Sequence, residues 1–153
     1  MFLIHPSKEE INDGLEAWGW LDFSGKEPFA VTAFGDVFFD ANDGVYFLDK
    51  VSGELEPVCD TKKQLEEILN SADGQDHFLM SELVLLAREH GLILGYGECY
   101  EFKILPMLNG EMVFDNLQKM DFKVSLHIAG QIIGQVKDFP EGTQIEEVKL
   151  GNS

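Results

Sequence analysis

The chain has 153 residues, of which 28 are acidic and 11 basic, giving a formal net charge of −17, and 44% are hydrophobic, with 12 Phe. This length suits one domain spanning residues 1–153, and the apolar content is enough to offset ordering entropy, which excludes global disorder. The charge argues against direct binding to nucleic acid or to an anionic membrane surface, since both require clustered Lys and Arg, and no apolar run approaches the ~20 residues of a membrane span.

The first residues, Met1-Phe2-Leu3-Ile4-His5-Pro6, offer neither a basic region nor an extended apolar stretch of the kind an export signal carries. With only two cysteines, Cys59 and Cys99, and no ligand or disulfide spacing between them, a cytoplasmic location is expected. Ser7-Lys8-Glu9-Glu10 is a capping box, and Ile11, Leu15 and Trp18 follow at helical spacing, so a first helix is predicted to end near Trp18.

The pattern then becomes β-rich. Residues 31–40, 45–49 and 55–58 are strand-like and are separated by Asn42-Asp43-Gly44 and Ser52-Gly53, which predicts a three-stranded antiparallel meander over about residues 30–58. Thr61-Lys62-Lys63-Gln64 begins a second, short helix. After a turn at residues 71–74, residues 78–90 are apolar around most of a helical circumference and stop at Gly91, as a central buried helix would.

Residues 98–105 read as a strand ending at Pro106. A turn at Asn109-Gly110 and a short strand at residues 112–114 are expected to extend the sheet. Asp121 caps a last helix whose apolar residues Phe122, Leu126, Ala129, Ile133 and Val136 share one face. The tail contains Pro140-Glu141-Gly142 and a candidate edge strand at residues 143–150. Strands and helices come in runs, without βαβ alternation, so the fold class is α+β: an antiparallel meander extended by later strands and packed with flanking helices.

Catalytic chemistry has little support. His5, His77, His90 and His127 are scattered, with no metal-ligand spacing, so neither a metal nor another cofactor is expected. No G-x-S-x-G elbow occurs, and the glycines Gly91, Gly95 and Gly97 precede a strand rather than the helix a phosphate loop needs. Asp40-Ala41-Asn42-Asp43-Gly44 lacks the final bidentate Glu of a calcium loop, because Val51 stands there. Glu98 and Glu101, three apart on a strand, face opposite ways and form no dyad.

Between residues 36 and 60, seven carboxylates face one base, Lys50. Such a run is either a solvated sheet face or, with aromatics interleaved, a surface for a cationic protein. Asp36, Phe38, Asp40, Asp43, Phe47 and Asp49 are the candidate contact residues. Turning Val37 and Phe39 inward avoids burying Asp36 and Asp40, which predicts an exposed Phe38 among acids.

The stretch Phe29-Ala30-Val31-Thr32-Ala33-Phe34-Gly35-Asp36-Val37-Phe38-Phe39, followed by Gly44-Val45-Tyr46-Phe47-Leu48-Asp49, resembles the Thr-x-Phe-Gly-Asp strand and hairpin of the C-terminal domain of type VI secretion immunity proteins that protect against DNase effectors. Leu94-Gly95-Tyr96-Gly97-Glu98-Cys99-Tyr100-Glu101-Phe102, Leu105-Pro106-Met107-Leu108-Asn109-Gly110 and Asp115-Asn116-Leu117-Gln118-Lys119-Met120-Asp121 resemble its second half. The likeness covers about residues 6–137 and leaves 138–153 as an extension. Its motif positions are Gly35, Asp36, Gly44, Glu98, Tyr100, Pro106, Gly110, Asn116 and Leu117. Asn109-Gly110 stands where the family tends to have Gly-Gly, and longer members carry a further N-terminal domain. A weaker likeness links the chain to immunity proteins typified by the yeast cell-wall regulator family.

The resemblance implies a non-enzymatic protein that neutralises a cognate toxin, basic if it is a nuclease, by direct contact. Two rivals differ in class: a regulatory or scaffolding module without a toxin, and an enzyme on small molecules, which would need a pocket at Glu98, Tyr100 and Glu101.

Overall fold

The computed structural model describes residues 2–139. The candidate edge strand at 143–150 lies outside them. Strands β1 (Leu3–Ile4), β2 (Glu27–Thr32), β3 (Val37–Ala41), β4 (Gly44–Leu48) and β5 (Leu55–Cys59) form one antiparallel sheet in that order. The helices are α1 (Lys8–Leu15), α2 (Lys62–Leu69), α3 (Ala72–Leu79), α4 (Ser81–Glu89) and α5 (Phe122–Val136). Strands β6 (Glu98–Phe102) and β7 (Leu117–Asp121) pair with each other. The class is α+β, as the sequence predicts.

Local chemistry sets the helix starts. Ser7 accepts from the Glu10 amide at 3.1 Å while Glu10 accepts from the Ser7 amide at 3.2 Å, completing the capping box of α1. Thr61 caps α2, but Gln64 reaches one residue further back, to the amide of Asp60 at 2.8 Å. Asp121 caps α5 by accepting from Val124.

The meander differs from expectation in its first member. Residues 31–40 are two strands, because Thr32-Ala33-Phe34-Gly35-Asp36 makes a tight turn closed by Gly35 N to Thr32 O and Thr32 N to Asp36 O, both 2.9 Å. Gly35 sits at φ 87°, where a side chain is strained. The strand expected at residues 112–114 is likewise replaced. A 3-10 turn, Phe114–Asn116, occupies that region and the partner of β6 is β7. These later strands do not extend the meander. They form a separate two-stranded sheet, joined to it by Tyr100 N donating to Ala33 O at 2.8 Å.

The predicted helix 78–90 is broken at Met80, whose φ of 47° is left-handed and separates α3 from α4. It is not central: Leu85 and Leu86 are exposed, and Val84 and Ala87 alone of its apolar residues are fully buried. That central place belongs to α5, which buries Phe122, Leu126, Ala129, Ile133 and Val136 along the predicted face.

Both faces of the meander are covered. Val37, Phe39 and Leu48 pack with Ile11, Trp18, Leu126 and Ile133 under α1 and α5. Phe38, Val45 and Phe47 pack on the other side with Leu65 of α2 and Phe78 of α3. Near-continuous apolar runs such as Val37-Phe38-Phe39 are the signature of a strand buried on two sides.

Candidate functional site

The Thr32–Asp36 turn is the best-defined polar constellation. The Thr32 hydroxyl accepts from the amides of Phe34 and Asp36, each at 3.2 Å, and donates to Asp36 Oδ2 at 2.9 Å. Asp36 Oδ1 accepts from the Lys50 amide at 2.8 Å. The turn thereby locks the start of β3 to the chain leaving β4.

The side chain of Lys50 runs inward from the same place. Its Nζ lies 2.9 Å from Glu101 Oε2 and donates to Ser125 Oγ at 2.6 Å, while Ser125 Oγ donates to Glu101 Oε2, also at 2.6 Å. Lys50 and Glu101 side chains are 3% and 7% exposed. One buried cation therefore joins the meander, β6 and α5. A Cβ on Gly35 would come within 3.2 Å of Lys50 Nζ and 3.5 Å of Cys99 Sγ, so the motif glycine also makes room for the cluster.

Two buried carboxylates meet this one residue, Glu101 at Lys50 Nζ and Asp36 at the Lys50 main-chain amide. Burial, reinforced by the negative charge of Asp49, pushes the Asp36 carboxyl up to about 7 against the pull of its Lys50 and Thr32 hydrogen bonds. Burial alone would lower the Lys50 pKa, but the surrounding Cys99, Glu101 and Asp36 hold it raised. Burial also raises the Cys99 thiol. The cluster is sealed, so no substrate reaches it.

The proposed contact residues separate into two groups. Asp36 (2% exposed), Phe38 (0%) and Phe47 (8%) are buried, so the expected exposed Phe38 is corrected. The reasoning failed because it allowed the strand one inward face, whereas the second is closed by Phe29, Phe47 and Phe78 around the Phe38 ring. The burial of Asp36 that it sought to avoid is met by the Thr32 and Lys50 donors. Asp43 is exposed and accepts from the Tyr46 hydroxyl at 2.6 Å. Asp40 is partly exposed, 3.9 Å from Lys62, and Asp49 accepts from the amides of Val51 and Ser52 in the β4–β5 turn. Glu54 and Glu56 stand exposed beside one another on the far hairpin, where a side-chain hydrogen bond with Glu56, reinforced by its negative charge, raises the Glu54 pKa.

Most remaining motif positions build the frame. Gly44, at φ 138°, sits where a Cβ would come within 2.7 Å of Cys59 O. Tyr100 is buried and its hydroxyl donates to Leu92 O at 2.6 Å. Pro106 opens a 3-10 turn, Gly110 passes against Ile104 O, and Asn116 bonds Ile104 N, Ile104 O and Glu111 O across the β6–β7 connection. Leu117 is buried. Glu98 accepts from the Gly95 amide at 2.6 Å and lies 3.7 Å from Lys119. Glu98, Tyr100 and Glu101 do not converge on one pocket: Glu98 lines an outer cavity, and Glu101 is buried against Lys50.

Sequence reasoning missed the roles of Lys50 and Ser125. The lone base among seven carboxylates was the available signal. It also passed over Tyr96, which is 91% exposed between Gly95 and Gly97. Among the described residues no cluster of His, Cys, Asp or Glu is arranged to hold a metal, and no helix is long and apolar enough to cross a membrane.

Residues 62–133 match the model of the family described as T6SS immunity protein Tdi1, C-terminal, which bears out the family resemblance read from the sequence over those residues. No curated protein matches. Among solved structures the chain is similar to the crystal structure of Atu4351 from Agrobacterium tumefaciens, with 17% identity and a TM-score of 0.52, over 81% of this chain and 62% of that one. That likeness is one of fold, and this chain spans under two thirds of the matched protein.

Proposed function

We propose that this protein is an immunity-type binding protein, which neutralises a cognate, basic, nuclease-like toxin by direct contact in the cytoplasm of the cell that makes it. The observation that carries this reading is the match of residues 62–133 to a type VI secretion immunity model. The charge supports it independently. A nuclease presents a basic surface to its substrate, and a partner of net charge −17 is drawn to that surface and competes with the phosphate backbone for it. The same charge disfavours direct contact with nucleic acid.

The sealed Lys50–Glu101–Ser125 cluster supports a binding role over an enzymatic one, since its reactive groups serve as an internal brace. The direct test is survival. Bacteria expressing the toxin domain of the secreted effector encoded beside this gene should die, and co-expression of this chain should restore growth. No adjoining effector, or death despite soluble co-expression, contradicts the reading.

A further inference from the structure

The outer side of α4 and the loop that follows it carry apolar groups for which the fold itself has no use. Val84 and Ala87 turn inward with Phe34, Tyr100 and Phe102. The opposite side presents Leu85 (50% exposed) and Leu86 (37%), flanked one turn before and after by the exposed Glu82 and Glu89. Beyond Gly91 the chain exposes Ile93 (60%) and Tyr96 (91%). Arg88, one turn on from Leu85, lines a cavity of about 270 Å³ together with Tyr96, Glu98, Glu10 and Pro6, so α4 and the loop meet there.

This loop is held in place. Tyr100 Oη donates to Leu92 O at 2.6 Å, Lys119 Nζ to Ile93 O at 3.0 Å, the Gly95 amide to Glu98 Oε1 at 2.6 Å, and the Phe122 amide to Gly97 O at 2.8 Å. Four bonds fix the backbone on both sides of Tyr96 while its ring is left in solvent. A rigid, desolvatable aromatic of this kind binds with little ordering cost, which is the property of an interface anchor.

We infer that the surface formed by Leu85, Leu86, Ile93 and Tyr96, edged by Glu82 and Glu89, is the docking face for the toxin's basic surface. This rests on the function proposed above and names its contact site. Charge selects the occupant: around the apolar anchors, Glu82, Glu89, Glu10 and Glu98 outnumber the two cations there, Arg88 and the Lys119 that pairs with Glu98, and on a chain of net charge −17 this suits a partner with Lys and Arg around an apolar centre and opposes a second copy of this chain. Position agrees, because the whole face lies within residues 62–133, whereas the acidic hairpins of the meander lie outside that match.

The probe is the purified effector toxin domain encoded beside this gene, inactivated in its nuclease chemistry, with kinetics read by biolayer interferometry. Tyr96→Ala with Leu85→Ala should weaken binding about 30-fold, mainly through faster dissociation, at unchanged melting temperature. Glu82→Lys with Glu89→Lys should slow association about tenfold, and the charge-matched control Asp43→Lys with Glu56→Lys should slow it much less. Hydrogen exchange should slow at residues 82–97 in the complex. If the control abolishes binding while both α4 variants bind as wild type does, the docking face is overturned and the immunity reading stands. If wild type itself fails to bind, both are overturned.

Discussion

Lys50 meets two buried carboxylates, Glu101 through its ammonium and Asp36 through its main-chain amide. Removing it strands Glu101 in the core, so Lys50→Ala should cost about 3–5 kcal/mol of stability, measured by urea unfolding. Asp36 supplies a pH dependence. Its folded pKa of about 7 exceeds the ordinary 3.8, so the folded state holds a proton that the unfolded chain releases. The resulting stabilisation is complete below the unfolded value and is lost as pH rises through about 7, at up to about 1.4 kcal/mol per pH unit. Asp36→Asn does not titrate, so the stability difference, wild type minus variant, should decline between pH 5 and 8. A constant difference would contradict the assignment. At Phe38 the expectation now reverses: Phe38→Ala should destabilise by about 3–5 kcal/mol, because the ring is enclosed by Phe29, Phe47 and Phe78. Thr32, Gly35 and Asp36 were legible as a motif, but not as a turn, since the apolar residues on either side read as one continuous strand and the bond that ties the turn to the sheet comes from the Lys50 amide, fourteen residues away.

At the scale of elements, α5 packs closely enough on the segment after α1 to require glycine. A Cβ at Gly130 would stand 2.7 Å from Trp18 Nε1 and 3.0 Å from Ala17 C, and one at Gly134 would stand 2.6 Å from Trp20 Nε1. This closeness lets Trp18 donate to Leu126 O at 2.8 Å and Trp20 to Gly130 O at 3.2 Å. Gly130→Ala gains about 1 kcal/mol of helix propensity yet loses about 1–3 kcal/mol to overpacking, so the melting temperature should fall. A rise would show that the helices separate freely. The starts of α1, α2 and α5 were readable because caps are local, and the α5 face because its period is regular. The break at Met80 was not, since a left-handed Met carries no sequence signal, and β1 was too short to register. The meander's two-sided burial was obscured by the assumption of one wet face, although the unbroken run Val37-Phe38-Phe39 already argued against it.

For the molecule as a whole, the charge sign of the proposed partner is easier to argue from sequence than the surface that would meet it. Net charge is a sum over residues, but the candidate contact face depends on which apolar groups the fold leaves out, and Tyr96 becomes conspicuous only when its loop is seen pinned around it. Steering by charge should make association salt-dependent. With screening near 8 Å at physiological ionic strength, the rate constant for the toxin domain should fall on the order of tenfold between 50 and 500 mM salt, and a flat profile would leave recognition to apolar contacts alone. Neutralisation is tested most directly by titrating the active toxin domain's DNase activity with this purified chain. Neutralisation by contact predicts a linear fall in activity to a sharp endpoint at a fixed stoichiometric ratio, with the two chains co-eluting as a complex. Undiminished DNase activity at a large molar excess of folded chain would contradict it.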